Sequence, residues 1–128
     1  MLISIFCILV VNLFGQTQFN MDAKSKAEYV KADKDLNQIY LKLLQSYKND
    51  TVFIRSLKEA QRQWVKFREA QLKMKYPTYP NRNESISPMC QYYYLAELTN
   101  SRVKDLKQWI TGVEEGDVCA GSINFSGQ

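Results

Sequence analysis

The stretch LKEAQRQWVKFREA, residues 57–70, decides the fold class of this chain. Its apolar and uncharged residues recur at intervals of three and four, while most of its charges fall on the opposite side, as in an amphipathic helix. An arginine inside the buried face needs a carboxylate or carbonyl partner, because burying an unpaired guanidinium is costly. We therefore expect Arg68 to pair with an acid on a neighbouring helix, and Asp33 is our candidate. The predicted buried stripe comprises Leu57, Ala60, Gln61, Trp64, Phe67, Arg68 and Gln71.

The flanking segments predict two more helices. Apolar residues keep helical spacing over 21–48, and Asn49 and Asp50 then break the pattern, so this helix and one over 52–75 should form an antiparallel hairpin. Residues 77–87 contain two prolines and predict a loop. Ser87 and Pro88 are typical of a helix start, and Gly112 can end that third helix after about residue 110. We predict an all-α domain, a three-helix bundle made of the hairpin plus a third helix, with Trp64 and Trp109 in its core.

The two ends of the chain have a different character. Residues 2–11 are apolar and uncharged, too short for a comfortable membrane span, and typical of a signal peptide over 1–15. An uncleaved membrane anchor is the alternative. We expect the helical domain to cover 16–111, with no membrane span after cleavage, and the protein to be exported to the periplasm or beyond the cell. Residues 112–128 show no helical or strand period, and we expect an irregular tail that is extended or partly disordered apart from the region near Cys119.

Cysteine usage follows from that expectation of export. Cys7 leaves with the signal peptide, so Cys90 and Cys119 remain as an even pair in an oxidising compartment. We expect a disulfide between them, which would tie the tail to the start of the third helix.

Composition excludes several classes of function. The chain has 128 residues, no histidine, and 17 Lys and Arg against 13 Asp and Glu, for a net charge of +4. Without histidine there is no Ser-His or Cys-His nucleophile pair, and the commonest zinc ligand is missing. No glycine-rich phosphate loop is present, and the positive charge is too small to favour nucleic-acid binding. We expect no enzymatic activity, cofactor or bound metal. The surviving enzymatic alternative is a carboxylate pair, in which Asp33 would act with Asp35, Glu69 or Glu97.

Tyrosines mark the candidate contact surface. Residues 92–94 are consecutive tyrosines, which on a helix point in directions about 100° apart, so at least one must be exposed. Exposed tyrosines are effective contact residues in protein interfaces. The preceding loop adds further candidates, and the predicted partner-contact residues are Tyr76, Tyr79, Arg82, Tyr92 and Tyr93.

Three ordered motifs carry a resemblance to a known family. They are ADKDLNQIY (32–40), LKEAQRQWVKFREA (57–70), and SISPM with LAELTNSRVKDL (85–89 and 95–106). Together they resemble the LprI-like lysozyme-inhibitor domain of exported bacterial proteins. The resemblance implies a short helical domain acting outside the cytoplasm. Its recurrent positions, which look like scaffold, fall here on Leu36, Asn37, Tyr40, Gln61, Trp64, Arg68, Thr99, Arg102 and Leu106.

The chain departs from the family pattern at one pair of positions. Relatives commonly carry two cysteines at the places of Leu72 and Tyr94, and both are missing here. Joint loss is what two bonded residues would show, so the resemblance implies that Leu72 and Tyr94 lie close together across helices two and three.

Two hypotheses for function remain. The first, from the family name, is a protein that binds and inhibits lysozyme or another cell-wall hydrolase. Animal-type lysozymes are themselves basic, so a partner of charge +4 lacks long-range attraction unless the acidic run at Glu114, Glu115 and Asp117 supplies it. The alternative is a structural or adaptor module of the cell envelope that binds another protein or an anionic wall or membrane component. A homodimer is compatible with either, because three helices can leave one face uncovered.

Overall fold

Three helices make up the fold. A computed structural model describes residues 2–81 and 87–127, with side chains described from residue 14 onward. Helix α1 spans Leu2–Ser46, α2 spans Thr51–Lys75 and α3 spans Pro88–Thr111. The all-α prediction is confirmed, and within the described ranges the only β feature is an isolated bridge between Val113 and Phe125.

Ring contacts show how the helices run. Tyr47 at the end of α1 packs on Phe53 at the start of α2, with ring centroids 4.4 Å apart. Tyr29 stacks on Tyr92 near the start of α3, and the Tyr47 hydroxyl donates to the Trp109 carbonyl oxygen near its end, at 3.0 Å. Helix α2 is therefore antiparallel to α1, while α3 runs parallel to α1.

Local sequence sets the helix ends. The Asp50 side chain caps α2 by accepting a hydrogen bond from the Phe53 amide at 2.9 Å. Pro88 occupies the first turn of α3, and Gly112 ends that helix with φ at +76°. The start of α1 differs from our prediction. It begins at Leu2 rather than near residue 21, because residues 2–20 hold no proline and one glycine, so nothing in them breaks a helix. No described helix has an apolar stretch long enough to cross a membrane.

The hydrophobic core lies at the hairpin end of the bundle. Leu43 is fully buried there, and Trp64 and Trp109, both partly buried, pack against the same cluster. Two predicted buried positions are wrong, and the larger of them is Phe67, half of whose surface is exposed. The buried face of α2 follows positions 53, 57, 61, 64, 68 and 72, which leaves Phe67 at its edge. Ala60 is exposed for the same reason.

Helices α1 and α3 make the closest backbone approach, closer than either makes to α2. Small side chains explain this, because Ser25 and Ala32 on α1 and Ala96 and Thr99 on α3 are all buried. On α2 the corresponding inward positions carry large residues such as Trp64 and Arg68, which hold its backbone further away.

The tail is folded rather than extended. The Val113 amide donates to the Asn124 carbonyl at 3.1 Å, and the Ser126 amide donates to the Val113 carbonyl at 2.8 Å. The Trp109 indole N–H donates to the Ser122 hydroxyl at 3.0 Å. Residues 113–126 thus form a series of turns docked on the end of α3. The expectation of an irregular segment holds, but that of an extended or partly disordered one is wrong.

This placement of the tail corrects the disulfide prediction. Cys90 and Cys119 are both free thiols. Cys90 lies in the first turn of α3, whereas Cys119 lies in the tail, three residues from the Ser122 contact with Trp109. Cys90 and Trp109 are 19 positions apart on the helix, which is about 28 Å at 1.5 Å per residue. A disulfide requires Cα atoms within about 7 Å, so the two thiols cannot meet.

Replacing Gly112 by alanine should release the tail. A Cβ at Gly112 would lie 2.7 Å from the Ser126 amide nitrogen and 2.8 Å from the Asn124 carbonyl oxygen, both of them backbone atoms. We expect the Val113 and Ser126 amides to exchange hydrogen at least about tenfold faster in Gly112→Ala. Gly116→Ala is the matched control, because Gly116 also has a positive φ but its added Cβ meets nothing within 4 Å. Equal exchange rates in the two variants would contradict the prediction.

Candidate functional site

Arg68 joins all three helices at the middle of the bundle. It sits on α2 and is 7% exposed. Its Nη1 donates to the Asp33 carboxylate of α1 and to the Thr99 hydroxyl of α3, both at 3.1 Å. Its guanidinium lies 5.0 Å from the Trp64 ring centroid and 5.6 Å from that of Tyr29. The predicted Arg68–Asp33 pair is confirmed, and it places this carboxylate in an ion pair between helices.

A second arginine lies on α3 beside the same tryptophan. The Arg102 Nε donates to the Gln61 side-chain oxygen at 3.2 Å, and its guanidinium lies 6.0 Å from the Trp64 ring centroid. Burial lowers the pKa of Arg102 and nearby Asp105 partly offsets this, but an arginine stays charged at any physiological pH. Trp64 therefore contacts two guanidinium groups, which accounts for a tryptophan on a face that also carries polar side chains.

The positions named by the family resemblance divide into three groups. Leu36, Thr99 and Leu106 are buried, and Tyr40 and Trp64 are partly buried against the core. Gln61, Arg68 and Arg102 make the polar contacts between α2 and the other helices. Asn37 differs from the rest because its side chain is exposed.

The three consecutive tyrosines point to three different surroundings. Tyr92 stacks on Tyr29 of α1, with ring centroids 6.1 Å apart. Tyr94 faces α2, where its hydroxyl donates to the Gln71 side-chain oxygen at 3.4 Å. Tyr93 is 36% exposed. The prediction that at least one of the three is a surface residue is confirmed. Gln71 is the residue before Leu72, so Tyr94 reaches the part of α2 where the resemblance places its partner.

The end of α2 adds further aromatic residues at the same end of the bundle. Tyr76 packs edge-on against Tyr94 at 6.2 Å between ring centroids, and the Lys75 ammonium lies 3.9 Å from the Tyr94 ring centroid. Tyr79 follows in the loop and is 52% exposed. Arg82, another predicted contact residue, falls outside the described residues. We call this surface the tyrosine end, formed by Tyr29, Tyr76, Tyr79, Tyr92, Tyr93 and Tyr94.

Tyr29 links Arg68 to the tyrosine end. Burial raises the pKa of Tyr29, and the positive charge of Arg68 acts in the opposite direction. Tyr29 is therefore a neutral phenol at physiological pH, and its ring supports both Arg68 and Tyr92. Through Tyr29, Arg68 is therefore connected to Tyr92 of the tyrosine end.

Sequence reasoning missed Tyr29 and Lys75 as members of this surface. Tyr29 lies at the correct helical spacing to face α3, but its stacking on Tyr92 depends on the close approach of α1 and α3. Nothing in the sequence distinguishes Lys75 from the other lysines of α2. Its position over Tyr94 depends on how far α3 is shifted along α2, which no local pattern encodes.

The fold and these contacts define a small three-helix protein with a partly exposed aromatic end. Within the described residues, no three His, Cys, Asp or Glu side chains lie close enough together to hold a metal ion. The sequence profile of the family described as lysozyme inhibitor LprI matches residues 14–106, which is most of the chain. The chain therefore belongs to the LprI family, and the resemblance drawn from its three motifs is confirmed. No curated protein and no solved structure matches it.

Proposed function

We propose that this protein inhibits lysozyme or a related cell-wall hydrolase by binding to it. Membership of the LprI family carries the proposal, because that family is described by lysozyme inhibition. An inhibitor needs a rigid surface rather than reactive groups, and the helical frame with its aromatic end supplies one. The protein would then act outside the cytoplasm, after removal of residues 1–15. N-terminal sequencing of protein recovered from the envelope or medium tests that step.

We place the contact surface at the tyrosine end. The acidic residues Glu114, Glu115 and Asp117 lie in the tail, beyond the C-terminal end of α3 and outside the family match. The tyrosines lie at the opposite end of α3, roughly 25 Å away along the helix. An interface that used both groups would have to run the length of α3, and we expect the family activity to depend on the matched region, which contains the tyrosines.

Within this surface we assign contact to Tyr79 and Tyr93. Both are exposed, and Tyr93 is held on a helix whose neighbouring rings are fixed against α1 and α2. Tyrosine loses little conformational entropy on binding and contributes both apolar area and a hydroxyl. Tyr92 and Tyr94 instead support the surface from behind, because each packs against another helix.

Removing both exposed tyrosines should weaken inhibition without unfolding the protein. We expect the double variant Tyr79→Ala, Tyr93→Ala to raise the inhibition constant at least about tenfold, since interface hot spots typically contribute 2 kcal/mol or more each. The measurement is peptidoglycan lysis by an animal-type lysozyme and by a bacterial muramidase, titrated with protein at low and moderate salt.

Val52→Ala is the control for that experiment, since Val52 is 70% exposed at the opposite end of α2. Full inhibition by the double tyrosine variant would refute the tyrosine end as the contact surface. If the folded native protein inhibits no hydrolase, the inhibitor proposal fails, and the envelope adaptor becomes the leading hypothesis, tested by salt-dependent retention on peptidoglycan.

A further inference from the structure

A small cleft opens between α2 and α3 at the end of the bundle away from the tyrosines. Its volume is about 200 Å³. Phe53, Leu57, Leu106 and Trp109 form apolar walls, Arg102 lies on one side, and Ser122 of the tail closes another. The Trp109 indole N–H is already bound to Ser122, so the tryptophan presents its ring rather than a free donor.

Arg102 is the unusual member of this lining. Arg68, on the neighbouring helix, has the carboxylate of Asp33 as its partner. Among the described residues Arg102 has no carboxylate within ion-pair distance, and its one hydrogen bond is from Nε to the neutral Gln61 amide. Within the described part of the chain, the N–H groups of its two terminal nitrogens have no protein acceptor. Asp105, one turn further along α3, acts electrostatically on Arg102 but forms no ion pair with it.

A half-buried guanidinium beside an apolar cleft fits one kind of ligand. Its free N–H fork matches a carboxylate, which it can bind through two parallel hydrogen bonds. The apolar walls favour a hydrocarbon group attached to that carboxylate. The volume limits its size, because a cavity of about 150 Å³ accommodates benzene, whereas drug-sized ligands need about 300 Å³ or more.

We propose that this cleft binds a carboxylate attached to a single apolar side chain. Arg102 binds the carboxylate, and the apolar walls, which include Phe53 and Trp109, enclose the side chain. Two sources share this chemistry: the apolar C-terminal residue of a peptide or protein, and a small free carboxylic acid. The site lies at the end of the bundle opposite the tyrosine end, so it is independent of the proposed inhibition of a hydrolase.

The test is a titration of the full chain followed by the Trp109 indole N–H resonance. The probes are N-acetylphenylalanine, its neutral C-terminal amide, and a tetrapeptide ending in phenylalanine with a free carboxylate. We expect saturable shifts with the two carboxylates and at least tenfold weaker binding of the amide. Tighter binding of the tetrapeptide would identify a peptide C-terminus as the ligand, and tighter binding of N-acetylphenylalanine would identify a free acid. Absence of saturable binding, or equal binding of acid and amide, would overturn the proposal.

Three variants connect the binding to the cleft. Arg102→Gln should weaken carboxylate binding at least tenfold, and Arg55→Gln, which removes an exposed arginine of α2 outside the cleft, should not. Arg102 also contacts Gln61 and Trp64, so its replacement could affect the structure as well as the binding. A variant at another residue of the cleft avoids this ambiguity. Ala60→Leu places a larger side chain in the cleft from an exposed position and should abolish binding while the helical content stays unchanged. Native affinity in Ala60→Leu would refute the assignment to this cleft.

Discussion

Truncating Leu43 to alanine is expected to lower the free energy of unfolding by about 3–5 kcal/mol. Leu43 is 0% exposed and lies within the core cluster shared by all three helices. The surrounding residues come from different helices, so they cannot collapse into the vacated space without shifting whole helices. A domain of this size has a total stability of about 5–15 kcal/mol, so the loss is a large fraction of it.

Leu41→Ala provides the matched control for Leu43. It makes the same chemical change two residues earlier on α1, at a side chain that is 63% exposed, and should alter stability by no more than about 0.5 kcal/mol. Urea denaturation followed by circular dichroism at 222 nm measures both changes. Similar losses for the two variants would show that the bundle is not packed around Leu43 as described.

Much of the fold follows from the sequence because each helix carries its own signals. The Asp50 cap, Pro88 in a first turn and Gly112 at a helix end each act within a few residues of themselves. The Arg68–Asp33 pair was also predictable, since a charge on a buried face demands a partner and Asp33 lies on the facing stripe of α1.

The features that were missed depend on how helices pack rather than on how they form. Periodicity placed Phe67 in the buried stripe, but the true face of α2 is centred on Leu57 and Arg68, a rotation too small for the pattern to resolve. The close approach of α1 and α3 depends on which small residues meet, and therefore on their relative shift. The tail is held by Gly112 and Ser126, whose contacts are non-repeating and carry no periodic signal.

The candidate sites also depend on how the helices pack. Three consecutive tyrosines guarantee that one is exposed, but not which one, because that depends on the rotation of α3. The cleft beside Arg102 was invisible in the sequence, since its walls come from two helices and the tail. The place of Arg68 on the buried face predicted an acidic partner for it, but nothing in the sequence indicates that Arg102 has no carboxylate within ion-pair distance among the described residues.

Replacing Arg68 by alanine is expected to destabilise the protein by about 2–4 kcal/mol, through lost packing and lost hydrogen bonds. The Thr99 hydroxyl would lose its donor while fully buried, and the rings of Trp64 and Tyr29 would lose the guanidinium between them. The Asp33 side chain, which is 41% exposed, can regain water, so the ion pair contributes only a minor part. Asp33→Asn should therefore cost less than about 1 kcal/mol.

Arg68→Met separates the two larger contributions and distinguishes a scaffold role from a binding role. Methionine keeps most of the side-chain length but neither the charge nor the hydrogen-bond donors. If Arg68→Met loses less than half as much stability as Arg68→Ala, packing accounts for most of the effect. If the two variants lose equal stability, the effect comes from the hydrogen bonds that Arg68 makes to α1 and α3. The measurement is the melting temperature together with the inhibition titration. An unchanged melting temperature in Arg68→Ala with lost inhibition would contradict the scaffold role and place Arg68 in the binding surface instead.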